Sequence, residues 1–303
     1  MANGSSVAAV VFGLASAATW GTGDFSAGLA TKRAPLFGVV IISQFCGLTL
    51  FVILGLLRAE ALPSAVDVLW SVIAGLSGVG GLLALYSGLA SGKMGLIAPI
   101  SAVVSTIVPV IVGAATQGLP SALQIGGFVL AMVGIWFISR PAKTDVNTLD
   151  LRLPIIAGLG FGAFFVFIHQ VNPNLFFFPL AAARMSSLLV VSTIVLSRRT
   201  VWQPTRSLLP LIAVSGIFDG LGNAFYMVSS QIGRLDLAAV LSSLYPVSTV
   251  ILAAIVLKER LTRTQLINTG VILLAIVLIL IPRREEEGKP VSGSQRIGIE
   301  IIR

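Results

Sequence analysis

The sequence predicts an all-α polytopic membrane protein: ten transmembrane helices, arranged as two inverted five-helix repeats around a central cavity. Three observations predict it. First, the 303 residues are 56% hydrophobic and only 11% charged, with a mean hydropathy of +0.99, whereas a soluble domain carries about 25% charged residues. So little charge cannot cover a water-facing surface, which excludes a soluble enzyme and a disordered chain. Second, apolar runs of helix-spanning length recur ten times, each close to the roughly 20 residues that cross about 30 Å of hydrocarbon. Third, the chain matches itself at one constant shift of 141 residues.

The first run, 7–30, follows Met1–Ser6, which lacks the basic residues of a signal peptide, so it is read as a retained helix. Lys32-Arg33-Ala34-Pro35 separates it from 35–57, because proline favours the start of a helix over its interior. Arg58 to Asp67 then leads to 66–90, Gly92-Lys93 to 94–116, and Leu119-Pro120-Ser121 to 121–139. The polar stretch from Arg140 to Pro154 leads into the second set: 153–171, 175–197, 207–231, 235–257 and 263–282. Its connections are Asn172-Pro173-Asn174, Arg198 to Arg206, Gly233-Arg234, and Lys258 to Arg263. Three units follow: a first repeat over 1–141, a second over 142–282, and a polar tail over 283–303 that reads as disordered.

The self-match spans several segments. Gly92-Lys93-Met94 with Leu96, Ala98 and Ser101 falls on Gly233-Arg234-Leu235 with Leu237, Ala239 and Ser242. Trp20-Gly21 falls on Phe161-Gly162, Gly75 on Gly216, and Ser121 to Gln124 on Thr262 to Gln265. The last pair is a capping box in both halves, which satisfies unpaired N–H groups where a helix begins. Five helices per half is odd, so the second half enters the membrane from the opposite side, the arrangement many secondary transporters use. Charge agrees with this. The chain carries a net +8, and the odd-numbered connections hold twelve basic residues, against Arg58 and Arg234 in the even ones. The positive-inside rule then puts the charged loops in the cytoplasm and both termini outside a plasma (inner) membrane. The same distribution explains the basic excess without nucleic acid.

The stretch from Tyr245-Pro246-Val247 through Leu257-Lys258-Glu259-Arg260-Leu261-Thr262 to Gln265 resembles the end of an EamA repeat. There a Pro-Val in one helix precedes a Gly-Glu-Arg-Leu-Thr turn and a Gln. This chain has Lys258 in place of the glycine, and its first half keeps Gln124 but has Gly118 where Glu259 stands in the second. Over residues 7–282 the chain is similar to the ten-helix, two-repeat form of the drug/metabolite transporter superfamily, most of all to YddG-type amino-acid exporters. The resemblance implies a helical basket with a central cavity lined by segments 1, 3, 4, 6, 8 and 9. It also implies cargo among amino acids, nucleotide sugars, sugar phosphates and drugs.

Polar groups in lipid are costly, so those inside spans face a cavity or one another. Segment 1 puts Trp20, Gly21 and Asp24 on one face, and segment 6 puts Phe161, Gly162, Phe165 and His169 on the equivalent one. Aromatic faces of this kind hold an apolar side chain or a substrate ammonium; the alternative is tight packing through small residues. Segment 3 carries Gly75, Gly78, Leu82 and Tyr86, where segment 8 carries Gly216, Asp219, Asn223 and Met227. Asp219 near mid-span needs a partner or water. It is either a cargo or proton site, or one half of a structural pair with Arg184 of segment 7. Segments 4 and 9 add Ser101, Ser105, Ser242 and Tyr245, with Pro99, Pro109 and Pro246 as bend points. Serines in such helices often bond to backbone carbonyls instead.

The remaining motifs narrow the function. Cys46 is the single cysteine, which excludes an intramolecular disulfide and a Cys-based zinc site. With one histidine besides, no metal site and no cofactor are expected. Walker, GxSxG and HExxH motifs are absent, so the energy is expected from gradients or exchange. The expectation is a non-enzymatic secondary transporter that exports a small zwitterionic metabolite, foremost amino acids, as a monomer or homodimer in the bilayer. A sugar-phosphate or nucleotide-sugar exchanger, a drug exporter, an intramembrane enzyme and a structural membrane subunit are the alternatives.

Overall fold

The computed structural model describes residues 2–90, 94–138 and 151–256, with isolated positions from 267 to 278. Among the described residues there are helices and connections and no strand. In order these are α1 (Ala2–Thr31), α2 (Leu36–Leu57), α3 (Ala65–Ala90), α4 (Met94–Gln117) and α5 (Ala122–Ile138). Then come α6 (Arg152–His169), α7 (Phe177–Arg198), α8 (Leu209–Ile232), α9 (Leu235–Ser242) and α10 (Tyr245–Val256). Among the described residues, seven stretches are long and apolar enough to cross a membrane: Leu36–Leu57, Ala65–Leu85, Ile100–Gln117, Arg152–His169, Phe177–Arg198, Arg206–Ile232 and Leu235–Val256. Large apolar side chains such as Leu57, Leu189 and Leu196 point outwards, which a lipid solvent permits. The tenth expected segment, 263–282, falls almost wholly outside the described residues, as do the tail and the second capping box.

Helix ends follow local chemistry. At α5 the Ser121 N–H donates to Gln124 Oε1 at 3.0 Å and the Gln124 N–H to Ser121 Oγ at 3.2 Å, a reciprocal capping box. α4 ends before Gly118, whose φ of +80° is the left-handed turn that glycine adopts without strain. The ninth expected segment is not one helix. Pro246 has no N–H to give, and the ladder tightens ahead of it: the Leu244 N–H reaches Leu241 O at 3.2 Å and the Val247 N–H reaches Leu244 O at 2.9 Å. The run therefore divides into α9 and α10, whereas α4 is continuous through Pro99 and Pro109.

The packing joins the two parts of the chain throughout. α1 lies against α8 and α3 against α6; α2 meets α7 and α8, α3 meets α7, and α4 meets α6 and α9. Two glycines set the closest approaches. A Cβ on Gly216 would stand 2.3 Å from Ser43 O, and one on Gly75 would stand 2.2 Å from Ala183 O, so α8–α2 and α3–α7 touch backbone to backbone. These glycines are the pair that the 141-residue shift superimposes.

Candidate functional site

Between these helices lies a cavity of about 110 Å³. One wall is polar: Asp24 of α1, Gln44 of α2, Arg184 of α7, and Asp219 and Asn223 of α8. The lining also has an apolar part, formed by Gly78, Leu82 and Leu85 of α3 with Phe161, Phe164 and Phe165 of α6. Four pairs of positions 141 residues apart meet here: Trp20 and Phe161, Asp24 and Phe165, Gly78 and Asp219, Leu82 and Asn223.

Trp20 is both lining and packing. Its ring stacks on Phe165 at 5.5 Å and on Tyr226 at 6.0 Å, while Phe165 and Tyr226 stack at 4.4 Å. Tyr226 is fully buried and its hydroxyl donates to Phe165 O at 3.2 Å. Gly222 makes room for the indole, since a Cβ there would stand 2.3 Å from Trp20 Cδ1.

Arg184 and Asp219 form an ion pair between α7 and α8. A second guanidinium nitrogen of Arg184 donates to Gln44 Oε1 on α2. The Arg184 side chain keeps 12% of its exposure and that of Asp219 keeps 37%, so the carboxylate is the partner that faces the open cavity. Asn223 Nδ2 donates to the Asp219 backbone carbonyl at 2.7 Å, which fixes the helix and leaves the Asp219 side chain to Arg184. Asp24 lines the same wall with no hydrogen-bond or ion-pair partner among the described residues. The charge of Asp219 acts on it. The wall therefore sets two carboxylates against one guanidinium.

Of the expected site residues, Trp20, Asp24, Phe161, Phe165, Asp219, Asn223 and Tyr245 line the cavity. His169 is not among its lining residues. It ends α6, where its Nε2 meets Gln117 Nε2 at 3.4 Å, and the fourfold spacing from Phe165 carries it past the cavity. Ser101 and Ser242 are fully buried and join helices: Ser101 Oγ donates to Pro154 O at 3.2 Å and Ser242 Oγ points to Gly13 O at 3.5 Å. The side chain of Tyr86 lies outside the described residues. Gln44 also lines the cavity without having been expected there, although a glutamine inside an apolar run is itself a signal. No group of metal-ligating residues occurs among the described residues.

Residues 152–281 match the EamA-like transporter family. That match points to a membrane transporter of the drug/metabolite type rather than an enzyme. No curated protein matches the chain. Among solved structures 26 chains match. The first, described only as "Crystal structure of protein", shares 16% identity over 90% of this chain and 98% of its own, with a TM-score of 0.77. At that identity the likeness is one of fold.

Proposed function

We propose that this protein is a secondary transporter that exports a small zwitterionic metabolite, amino acids foremost, by alternating access of the central cavity. The observation that carries the reading is Asp24, a carboxylate on the cavity wall with no hydrogen-bond or ion-pair partner among the described residues. An unpaired charge in mid-membrane is costly, and a cargo ammonium compensates it. The apolar wall of Leu82, Leu85, Phe161 and Phe164 supplies the complementary surface for a side chain. The reading includes two inverted repeats, 1–141 and 142–282, in a plasma membrane with both termini outside. It is supported by the four superimposable cavity positions and by the equivalent glycine contacts of α3–α7 and α8–α2.

A phosphorylated cargo fits less well. Phosphate dianions need paired cations, and Arg184, the one cation among the described residues that line the cavity, is engaged by Asp219 and Gln44. The test is counterflow of radiolabelled amino acids in proteoliposomes, with and without a pH gradient. Saturable exchange that falls at least tenfold in Asp24→Asn supports the reading. Absence of flux for every amino acid, in protein that remains folded, removes the amino-acid assignment.

A further inference from the structure

The inference rests on the cavity being the cargo site and concerns how that site reads its cargo. Arg184 divides its guanidinium between two acceptors on different helices, Asp219 of α8 and Gln44 of α2. The guanidinium itself is held from behind: Gly47 of α2 lies close enough that a Cβ there would stand 3.3 Å from Arg184 Nε, and the Phe51 ring is centred 6.0 Å from Cζ. The Asp219 carboxylate is the looser partner. It has no side-chain hydrogen-bond partner but Arg184 among the described residues, and it is the more exposed of the two.

We propose that Arg184 is the residue that selects for the cargo's carboxylate, and that an α-amino acid enters by inserting into the Arg184–Asp219 pair. The cargo carboxylate takes the guanidinium with two parallel N–H bonds, a better match to the planar fork than two separate acceptors. Asp219, released, joins Asp24 around the cargo ammonium. The exchange leaves Arg184 with a carboxylate and gives both aspartates a cation, so no buried charge is newly exposed. Neither fragment of the cargo achieves this. An amine alone reaches Asp24 but leaves the pair closed, and a carboxylic acid alone meets two repelling carboxylates. The same exchange releases Gln44 and so removes the side-chain bond between α2 and α7.

The test measures binding to the purified full-length protein in detergent, by calorimetry, with three probes of one shape: L-leucine, isoamylamine and 4-methylpentanoate. Leucine is expected to bind at least tenfold more tightly than either fragment. In Arg184→Gln the preference for leucine over isoamylamine disappears. In Gln44→Leu, where the guanidinium has one competitor fewer, the affinity of leucine relative to isoamylamine rises severalfold. Should Arg184→Gln not fold, the wild-type series and Gln44→Leu decide the matter. Equal binding of leucine and isoamylamine to the wild type overturns the proposal, as does an Arg184→Gln protein that keeps the preference. Isoamylamine binding that Asp24→Asn abolishes, with no added affinity for leucine, retains the cargo site and removes only the role of Arg184. No binding of any probe removes both.

Discussion

At the end of the bundle where α4, α6 and α9 meet, Arg234 grips Asp236 with two bonds: Nε to Oδ1 at 3.0 Å and a terminal nitrogen to Oδ2 at 2.7 Å. The same guanidinium donates to Gln117 O at 3.0 Å, at the end of α4, and to Gly118 O at 2.6 Å just beyond it, while Gln117 Oε1 accepts the Leu235 N–H at 3.0 Å. Arg234→Leu leaves Asp236, whose side chain has no exposure, with the Leu237 N–H at 2.7 Å as its one hydrogen-bond partner among the described residues. Removing one partner of a buried pair costs about 3–5 kcal/mol. The Arg234 side chain is 27% exposed, so water reaches the vacated position and the lower end of that range applies. A loss of about 3 kcal/mol corresponds to a fall in melting temperature of roughly 5–10 °C. Thermal unfolding of the purified protein, followed by tryptophan fluorescence, measures it. The double variant Arg234→Leu/Asp236→Leu removes both charges and should regain most of the loss. A shift below about 2 °C in the single variant, or a double variant no more stable than the single, would refute the assignment of this cluster as a buried clasp.

Three further outcomes follow from other contacts. Glu60 accepts the Phe177 and Phe178 N–H groups at 2.9 Å each, capping α7 across the chain, so Glu60→Ala should cost about 1–2 kcal/mol in the same assay. Gly216→Ala drives a methyl into Ser43 O, and Gly75→Ala does the same at Ala183 O; each should lower stability by about 1–3 kcal/mol, and Gly126→Ala, with open space around it, should not. Gly222→Ala displaces the Trp20 indole, so it should shift tryptophan emission and weaken counterflow with little loss of folded protein.

How far the sequence reaches depends on the range of each interaction. Helices such as α2 and α7 are legible because an apolar run bounded by proline or charge has few other solutions in lipid, and their ends fall within a residue or two of the expected 35–57 and 175–197. The capping box at Ser121 is legible for the same reason, being local. The Arg184–Asp219 pair was one of two readings that the sequence left open, and the ion pair is present. Gln44 escaped because the reading followed residues repeated at 141, and its counterpart is the apolar Met185. The Glu60 cap joins groups 117 residues apart and has no local signature. Spacing put His169, Ser101 and Ser242 on the expected cavity strips, but none of the three lines the cavity, because depth along a helix and the neighbour it meets are tertiary facts.

The cavity positions related by the 141-residue shift are alike in place and unlike in chemistry. Asp24 corresponds to Phe165, Asp219 to Gly78 and Asn223 to Leu82, so each of these three polar residues has an apolar counterpart in the same cavity lining. A symmetric frame does not require this, and dispersal of the charges would put carboxylates on α6 and α3 in place of α1 and α8. Desolvated charges are tolerated when they are paired or compensate one another. Gathering them on α1 and α8, which pack together, keeps both aspartates on the same wall as the one cation. The swap variant Asp24→Phe/Phe165→Asp separates the two explanations. It preserves composition and, under the proposed repeat, moves the carboxylate to the equivalent position of the other half. If the polar wall defines the site, the swap stays without amino-acid counterflow and loses the Phe165–Tyr226 stack, with a further loss of roughly 1 kcal/mol. Recovery of counterflow in the swap, relative to Asp24→Phe alone, would mean that the frame and not the α1–α8 cluster sets where the cargo binds.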